Sequence, residues 1–203
     1  MCVILVCPDN VRPNAQTLKN CERANPHGAG VAWLEDGEVW WMKGLSADEL
    51  SELIDRISGE IVIHFRLASV GGVTPKLCHP FPVTACATTR LTGRARTVLF
   101  HNGTWGGWRD ALKWMPANRI SDSILSDTRV AASLVDCLGT SVLDRLPGRY
   151  VLFDREFTEL YGDWSDYHGM KASNLNFVPY EMPRTYQPSL SGFMTFEDDE
   201  EAK

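Results

Sequence analysis

A cysteine stands second in this chain and leads directly into Val3-Ile4-Leu5-Val6-Cys7, an apolar run rich in β-branched residues. Such a run predicts a buried strand. Chain ends are commonly solvated, so a thiol at this position is an unusual choice for mere core filling. Removal of Met1 would leave a thiol and a free α-amine on one residue. Ordinary pKa values of about 8.5 for the thiol and about 7.7–8.0 for the amine leave part of the amine unprotonated near neutrality. The amine can then take the thiol proton and later return it to a leaving group, as a nucleophile and base do elsewhere. The competing reading is a cysteine that opens a strand and happens to be second.

The 203 residues suffice for one good core, and one domain over residues 2–180 followed by a Pro-rich, acidic tail over 181–203 is the expected division. A formal net charge of −6 argues against a nucleic-acid partner, which would call for a basic face. The six cysteines include no C-x-x-C spacing, which argues against a structural zinc site. The apolar start lacks a basic flank and stops at Pro8-Asp9-Asn10, unlike a secretory signal. Reduced thiols and a cytoplasmic setting are therefore expected. No apolar run approaches the ~20 residues of a membrane helix, so no membrane partner is expected.

Residues 8–27 read as a polar loop. Gly28 to Leu34 and Glu38 to Met42 flank Glu35-Asp36-Gly37 as a hairpin, and Gly28 and Gly30 suggest a close approach to the backbone. Ser46-Ala47-Asp48-Glu49 is a capping-box start for a helix with Leu50, Leu53, Ile54 and Ile57 on its apolar face. Ile61 to Leu67 is a strand, residues 72–96 a long irregular stretch, and Thr97 to His101 a strand that stops at Asn102-Gly103. Helices are expected over Trp108–Trp114 and after Ser126-Asp127-Thr128, the latter closing near Gly139. A last pair of strands brackets Asp154 to Thr158. The order predicts an α+β fold of antiparallel sheets with helices packed outside them.

Four polar spots fall at element ends: Cys2, Arg66, Asn102-Gly103 and Asp127. Arg66 offers a planar fork of donors for a carboxylate, and Asp127 can accept from an ammonium. Together they match the head group of a free amino acid. The Asn102 amide and the Gly103 N–H are the donor types of an oxyanion hole. Acyl transfer on a side-chain amide is the chemistry implied. Taken singly, Arg66 could be a salt-bridge partner, Asn102-Gly103 a turn and Asp127 a helix cap.

These motifs, in the order Cys2, His64-Phe65-Arg66-Leu67-Ala68-Ser69, His101-Asn102-Gly103 and Ser126-Asp127-Thr128, resemble class II glutamine amidotransferase domains. The stretch from Arg66 to His79-Pro80-Phe81 is most similar to small stand-alone bacterial members. The resemblance, over roughly residues 2–175, implies an N-terminal nucleophile hydrolase fold, a four-layer αββα sandwich. It implies Cys2 as nucleophile, Arg66 and Asp127 as ligands of the glutamine α-carboxylate and α-ammonium, and Asn102 and Gly103 as the oxyanion hole. It further implies L-glutamine as substrate, a separate ammonia-accepting synthase as partner, and no cofactor or metal. Leu67 and Ser69-Val70-Gly71 depart from the commoner pattern, in which an aromatic residue and Thr-His-Gly stand there, and residues 82–96 differ as well.

His64, His79 and His101 are expected to be structural, and Cys7, Cys21, Cys78, Cys86 and Cys137 to be buried or incidental thiols. Trp40, Trp41, Trp105, Trp108 and Trp114 are assigned to core packing in preference to a partner surface. The rival functions are a self-sufficient amide or γ-glutamyl hydrolase and a catalytically silent interaction module.

Overall fold

Alternate side chains of the first strand, β1 (Val3–Cys7), part to two different cores, and that division organises the molecule. Val3, Leu5 and Cys7 join one apolar cluster, while Ile4 and Val6 join another. A strand buried on both faces must lie inside a sheet that is covered on both sides. The structure, a computed structural model, describes residues 1–116, 119–120 and 124–179. The tail expected over 181–203 lies outside the described residues.

After β1 come α1 (Ala15–Ala24), β2 (Ala29–Glu35), β3 (Glu38–Leu45), α2 (Ala47–Ile54) and β4 (Ile61–Phe65). Next are β5 (Phe81–Pro82), β6 (Thr92–Ala95), β7 (Thr97–Asn102), α3 (Trp108–Trp114) and α4 (Asp127–Leu138). The series closes with β8 (Arg149–Asp154), β9 (Thr158–Tyr161), β10 (Ser165–Tyr167) and β11 (Met170–Ala172). One seven-stranded sheet has the order β10-β11-β1-β4-β2-β3-β6, and a four-stranded sheet has the order β5-β7-β8-β9. All pairings given for the two sheets are antiparallel.

Three clusters define four layers. Leu18 and Cys21 of α1 and Leu50 and Ile54 of α2 pack on Leu5, Val31 and Ile63 of the larger sheet. That sheet turns Ile4, Val6, Ala32 and Val62 toward Val98, Phe100, Val151 and Phe153 of the smaller one. The far face of the smaller sheet, through Leu99, Tyr150 and Leu152, meets Ala131, Ala132 and Val135 of α4. The result is the expected αββα sandwich. No helix among the described residues is long and apolar enough to cross a membrane.

The hairpin forms as read, with Asp36 (φ 51°) and Gly37 (φ 73°) in the turn, and α2 carries the reciprocal Ser46–Glu49 capping box. The close approach at the two glycines is also present. A Cβ on Gly30 would lie 1.9 Å from the His79 carbonyl oxygen, and one on Gly28 would lie 2.9 Å from Cys78 Sγ.

Three expectations are corrected. The polar loop over 8–27 contains α1, whose cap Asn14 accepts from Thr17 N at 2.8 Å. Only Leu18 and Cys21 of that helix are apolar and buried, so its periodicity is faint. The irregular stretch over 72–96 contains β5 and β6, both too short to alternate visibly. The pair β8–β9 is not the last, because β10 and β11 follow as three-residue strands around His168-Gly169. The tryptophans also divide: Trp41 and Trp108 are buried, but Trp114 is 89% exposed.

Candidate active site

Cys2 precedes β1 immediately, so the register of β1 fixes the thiol. Val3 lies opposite Phe65 of β4, which places Cys2 beside the residues that follow that strand. The Leu67 N–H donates to Cys2 Sγ at 3.3 Å, and the thiol faces the Leu67 carbonyl at 3.4 Å. Burial pushes the thiol up from its ordinary 9.0, and the Leu67 N–H and the Arg66 charge pull it partly back. A thiol in this state needs a base. Met1 is 63% exposed, where a processing enzyme can reach it.

Arg66 ends β4, and its own backbone is laced to the start of β2. Its N–H donates to Gly28 O and its carbonyl accepts from His27 N–H, both at 3.0 Å. The His27 ring accepts the Ala68 N–H through Nδ1 at 2.9 Å. The guanidinium is buried and donates to Val70 O at 2.9 Å and Gly72 O at 2.8 Å. These bonds fold residues 67–72 over the cleft and leave further N–H donors on the fork. Gly71 (φ 86°) and Gly72 (φ 76°) make that turn in the left-handed region.

Asp127 does not cap α4. Ser126 does, its Oγ accepting from Arg129 N–H at 3.3 Å. Asp127 is thereby freed for another task in the first turn of the helix, where a carboxylate is favoured. Its Oδ1 accepts from Thr128 N–H at 2.9 Å and from Thr128 Oγ1 at 3.5 Å, and its Oδ2 from Trp105 N–H at 3.0 Å, so both oxygens are aligned and Oδ2 keeps a lone pair.

Asn102 closes β7 and is buried. Its Nδ2 lies 2.8 Å from Ser173 Oγ, and its Oδ1 has no partner among the described residues. Ser173 Oγ also accepts the Ile4 N–H at 2.8 Å, so with two donors on it the hydroxyl hydrogen has no acceptor. A half-turn of the amide resolves both problems. Ser173 then donates to Oδ1, and Nδ2 takes the orphaned position as a free donor. Asn174 Nδ2 donates to Cys2 O at 2.6 Å. Sequence reasoning missed His27, Ser173 and Asn174, none of which carries a local signal of its role.

One cleft is lined by Cys2, Arg66, Leu67, Gly103, Asp127 and Thr128, together with Leu77, His79 and His101. Asn102 lies just behind it, tied to β1 through Ser173. The cleft volume is about 20 Å³. The cleft is thus small, and it opens to the surface on one side. Cys2, Gly103, Leu67 and Ser69 also line a second cavity of about 150 Å³ on the Met1 and Thr104 side.

The three histidines form a buried support behind the cleft. His64 and His79 stack at 4.0 Å, and His79 Nδ1 accepts the His101 N–H at 3.2 Å. His101 stacks on Tyr150 at 4.3 Å and meets Thr128 Oγ1 at 3.1 Å. Burial drives His64 and His79 well below their ordinary 6.5, and His101 below it too despite the pull of Asp127. Of the remaining thiols, Cys7, Cys21 and Cys78 are buried, whereas Cys86 and Cys137 are exposed. Among the described residues no cluster of His, Cys, Asp or Glu could hold a metal ion.

No family model matches the chain, and no curated protein sequence matches it. Solved structures do. The glutamine phosphoribosylpyrophosphate amidotransferase from B. subtilis superposes with a TM-score of 0.50 at 20% identity, covering 76% of this chain and 35% of that one. A structure described as the allosteric regulatory enzyme of purine biosynthesis gives 0.49 at 19% identity, covering 76% of this chain and 36% of that one. This chain thus spans about a third of the length of the B. subtilis enzyme. Its two antiparallel sheets between helical layers are the fold of a class II glutamine amidotransferase domain, the N-terminal nucleophile sandwich.

Proposed function

We propose that this protein hydrolyses the side-chain amide of L-glutamine through a Cys2 thioester and delivers the ammonia to a separate synthase. The observation that carries the reading is the convergence of Cys2, Arg66, Gly103 and Asp127 on one cleft from four distant parts of the chain. After Met1 is removed, the Cys2 α-amine takes the thiol proton and the thiolate attacks the amide carbon. Asn102 Nδ2 and the Gly103 N–H hold the oxyanion, which costs no reorganisation because both are fixed at the end of β7. The protonated amine gives its proton to the leaving nitrogen, and ammonia departs. The amine then deprotonates a water that attacks the thioester, and glutamate leaves with the thiol restored.

Arg66 and Asp127, both lining the cleft, grip the head group. Arg66→Ala and Asp127→Asn are each expected to raise KM for glutamine by about 30-fold, roughly 2 kcal/mol, at the low end for a lost charge partner because Arg66 already shares its fork with Val70 and Gly72. kcat should fall much less. Wild-type KM in Arg66→Ala, measured by ammonia release, would remove Arg66 from the site.

Ser173→Ala should have the opposite signature. With no hydroxyl to hold Oδ1, the Asn102 amide loses its orientation, and kcat should drop by about 10²-fold, the scale of a lost oxyanion donor, with KM little changed. Slow ammonia release by the isolated chain, accelerated by a protein recovered from its host together with that protein's acceptor, is the expected behaviour. Fast hydrolysis that no recovered protein alters would favour the self-sufficient reading.

A further inference from the structure

Cys2 borders two spaces, and they differ in what lines them. Arg66 and Asp127 stand in the cleft. The second cavity, of about 150 Å³, shares Cys2, Leu67, Ser69 and Gly103 with the cleft but contains neither Arg66 nor Asp127. Met1, Ala68 and Thr104 complete its wall.

Once the thiolate has added to an amide carbon, that carbon carries four groups. Cys2 Sγ is one, and the oxyanion at the Gly103 N–H is another. The third is the chain that runs through the cleft to a head group held by Arg66 and Asp127. The fourth, the leaving nitrogen, must point away from that chain, and the second cavity is the space on that side of Cys2 and Gly103. A water, and so an ammonia, needs only roughly 10–15 Å³ of such space. The cavity is much larger than ammonia requires. Removal of Met1 widens it further, because Met1 forms part of the wall. The Cys2 nitrogen, bonded to Met1 until then, faces the vacated space, which is where a departing nitrogen has to collect its proton.

The lining narrows the kind of substituent. Leu67 and Ala68 are apolar, Ser69 and Thr104 present hydroxyls 2.9 Å apart, and no lining side chain carries a charge. We propose that this cavity is a leaving-group subsite, and that the protein also cleaves γ-glutamyl amides of small, uncharged primary amines, which rests on Cys2 being the nucleophile. The Sγ–C bond forms, the C–N bond breaks, and the Cys2 ammonium protonates the departing nitrogen, so that an amine leaves in place of ammonia. Water then hydrolyses the thioester as it does with glutamine, giving glutamate and restoring the thiol.

The test is to give the processed full chain L-glutamine or γ-glutamylethylamide and measure glutamate above the Cys2→Ser background, with ethylamine read by mass spectrometry. kcat/KM for the ethylamide should lie within about tenfold of that for glutamine, since a pocket that rejects the added carbons would cost more than that. Thr104 is exposed and lines this cavity but not the cleft, so Thr104→Trp fills the subsite without touching Arg66 or Asp127. It should lower kcat/KM for the ethylamide by at least about tenfold and change that for glutamine by less than about twofold. The ratio in the unmodified chain decides even if the variant does not fold. Glutamine cleavage with the ethylamide more than about tenfold poorer overturns the subsite and leaves the Cys2 reading standing. Equal losses on both amides in folded Thr104→Trp also overturn it. No glutamate from either amide overturns the subsite and the Cys2 reading together.

Discussion

Replacing Cys2 by serine should cut glutamine turnover by at least about 10⁴-fold while glutamine still binds, since removing an activated nucleophile disables the chemistry and leaves the grip intact. A serine hydroxyl is far less acidic than a thiol, and the α-amine is too weak a base to make up the difference. The buried, raised thiol makes the same point from the other side, because without a base little of it would be thiolate at neutral pH. Wild-type protein that keeps Met1, obtained by inhibiting methionine removal, should be as silent as the serine variant. Intact mass and ammonia release on the same sample decide it. Full turnover by protein with Met1 still attached would falsify the terminal-amine mechanism.

The second large effect concerns stability. Lys43 is 2% exposed between the two sheets, where its Nζ donates to Pro80 O at 3.2 Å and lies 4.0 Å from the centre of the Phe81 ring. Burial lowers it from 10.5 to about 7, with Arg129 adding to the fall and Cys78 opposing it. That fall corresponds to about 5 kcal/mol of preference for the neutral amine. Between pH 7 and the ordinary value of 10.5 the unfolded chain binds this proton and the folded one does not. Stability from this group therefore rises with pH across that window, by about 1.4 kcal/mol per pH unit. Near and below pH 7 the cost of the buried charge is present in full.

Lys43→Met removes the group. It should stabilise the fold by several kcal/mol near pH 7, set against about 1–3 kcal/mol for leaving Pro80 O without its donor. Urea unfolding of both proteins at pH 7.0 and 8.5 should show the gain shrinking by about 2 kcal/mol over that interval. Above pH 9 the buried thiols Cys7 and Cys21, pushed up by burial, oppose the trend, so the lower window is the informative one. An equal gain at both pH values would mean that Lys43 does not titrate there.

Elements with a strong local signature were legible. The capping box of α2, the Asp36-Gly37 turn and the continuous apolar runs of β1 and β7 each state their conformation within a few residues. The helix α1 was not, because ten residues hold its polar face and only Leu18 and Cys21 mark the other. Strands of two to four residues, such as β5, β6, β10 and β11, have no period to read, and their pairing partners decide them. The candidate site shows the same split. Cys2, Arg66, Asn102, Gly103 and Asp127 could be singled out because each ends an element with an unusual side chain. Ser173 and Asn174 sit in an ordinary polar stretch and matter only through what lies opposite. For Asp127 the cap reading fails on one neighbour, since Ser126 holds that position.

The seat of Cys2 is built from segments far apart in the chain. β1 lies between β4 and β11, Ile4 bonds to Ser173 across 169 positions, and Asn174 holds the Cys2 carbonyl. The strand that completes the seat, β11, thus comes from a part of the chain far from the cysteine it holds. Contacts this far apart in sequence form late. The surroundings of Cys2 are therefore complete only once β11 has docked against β1.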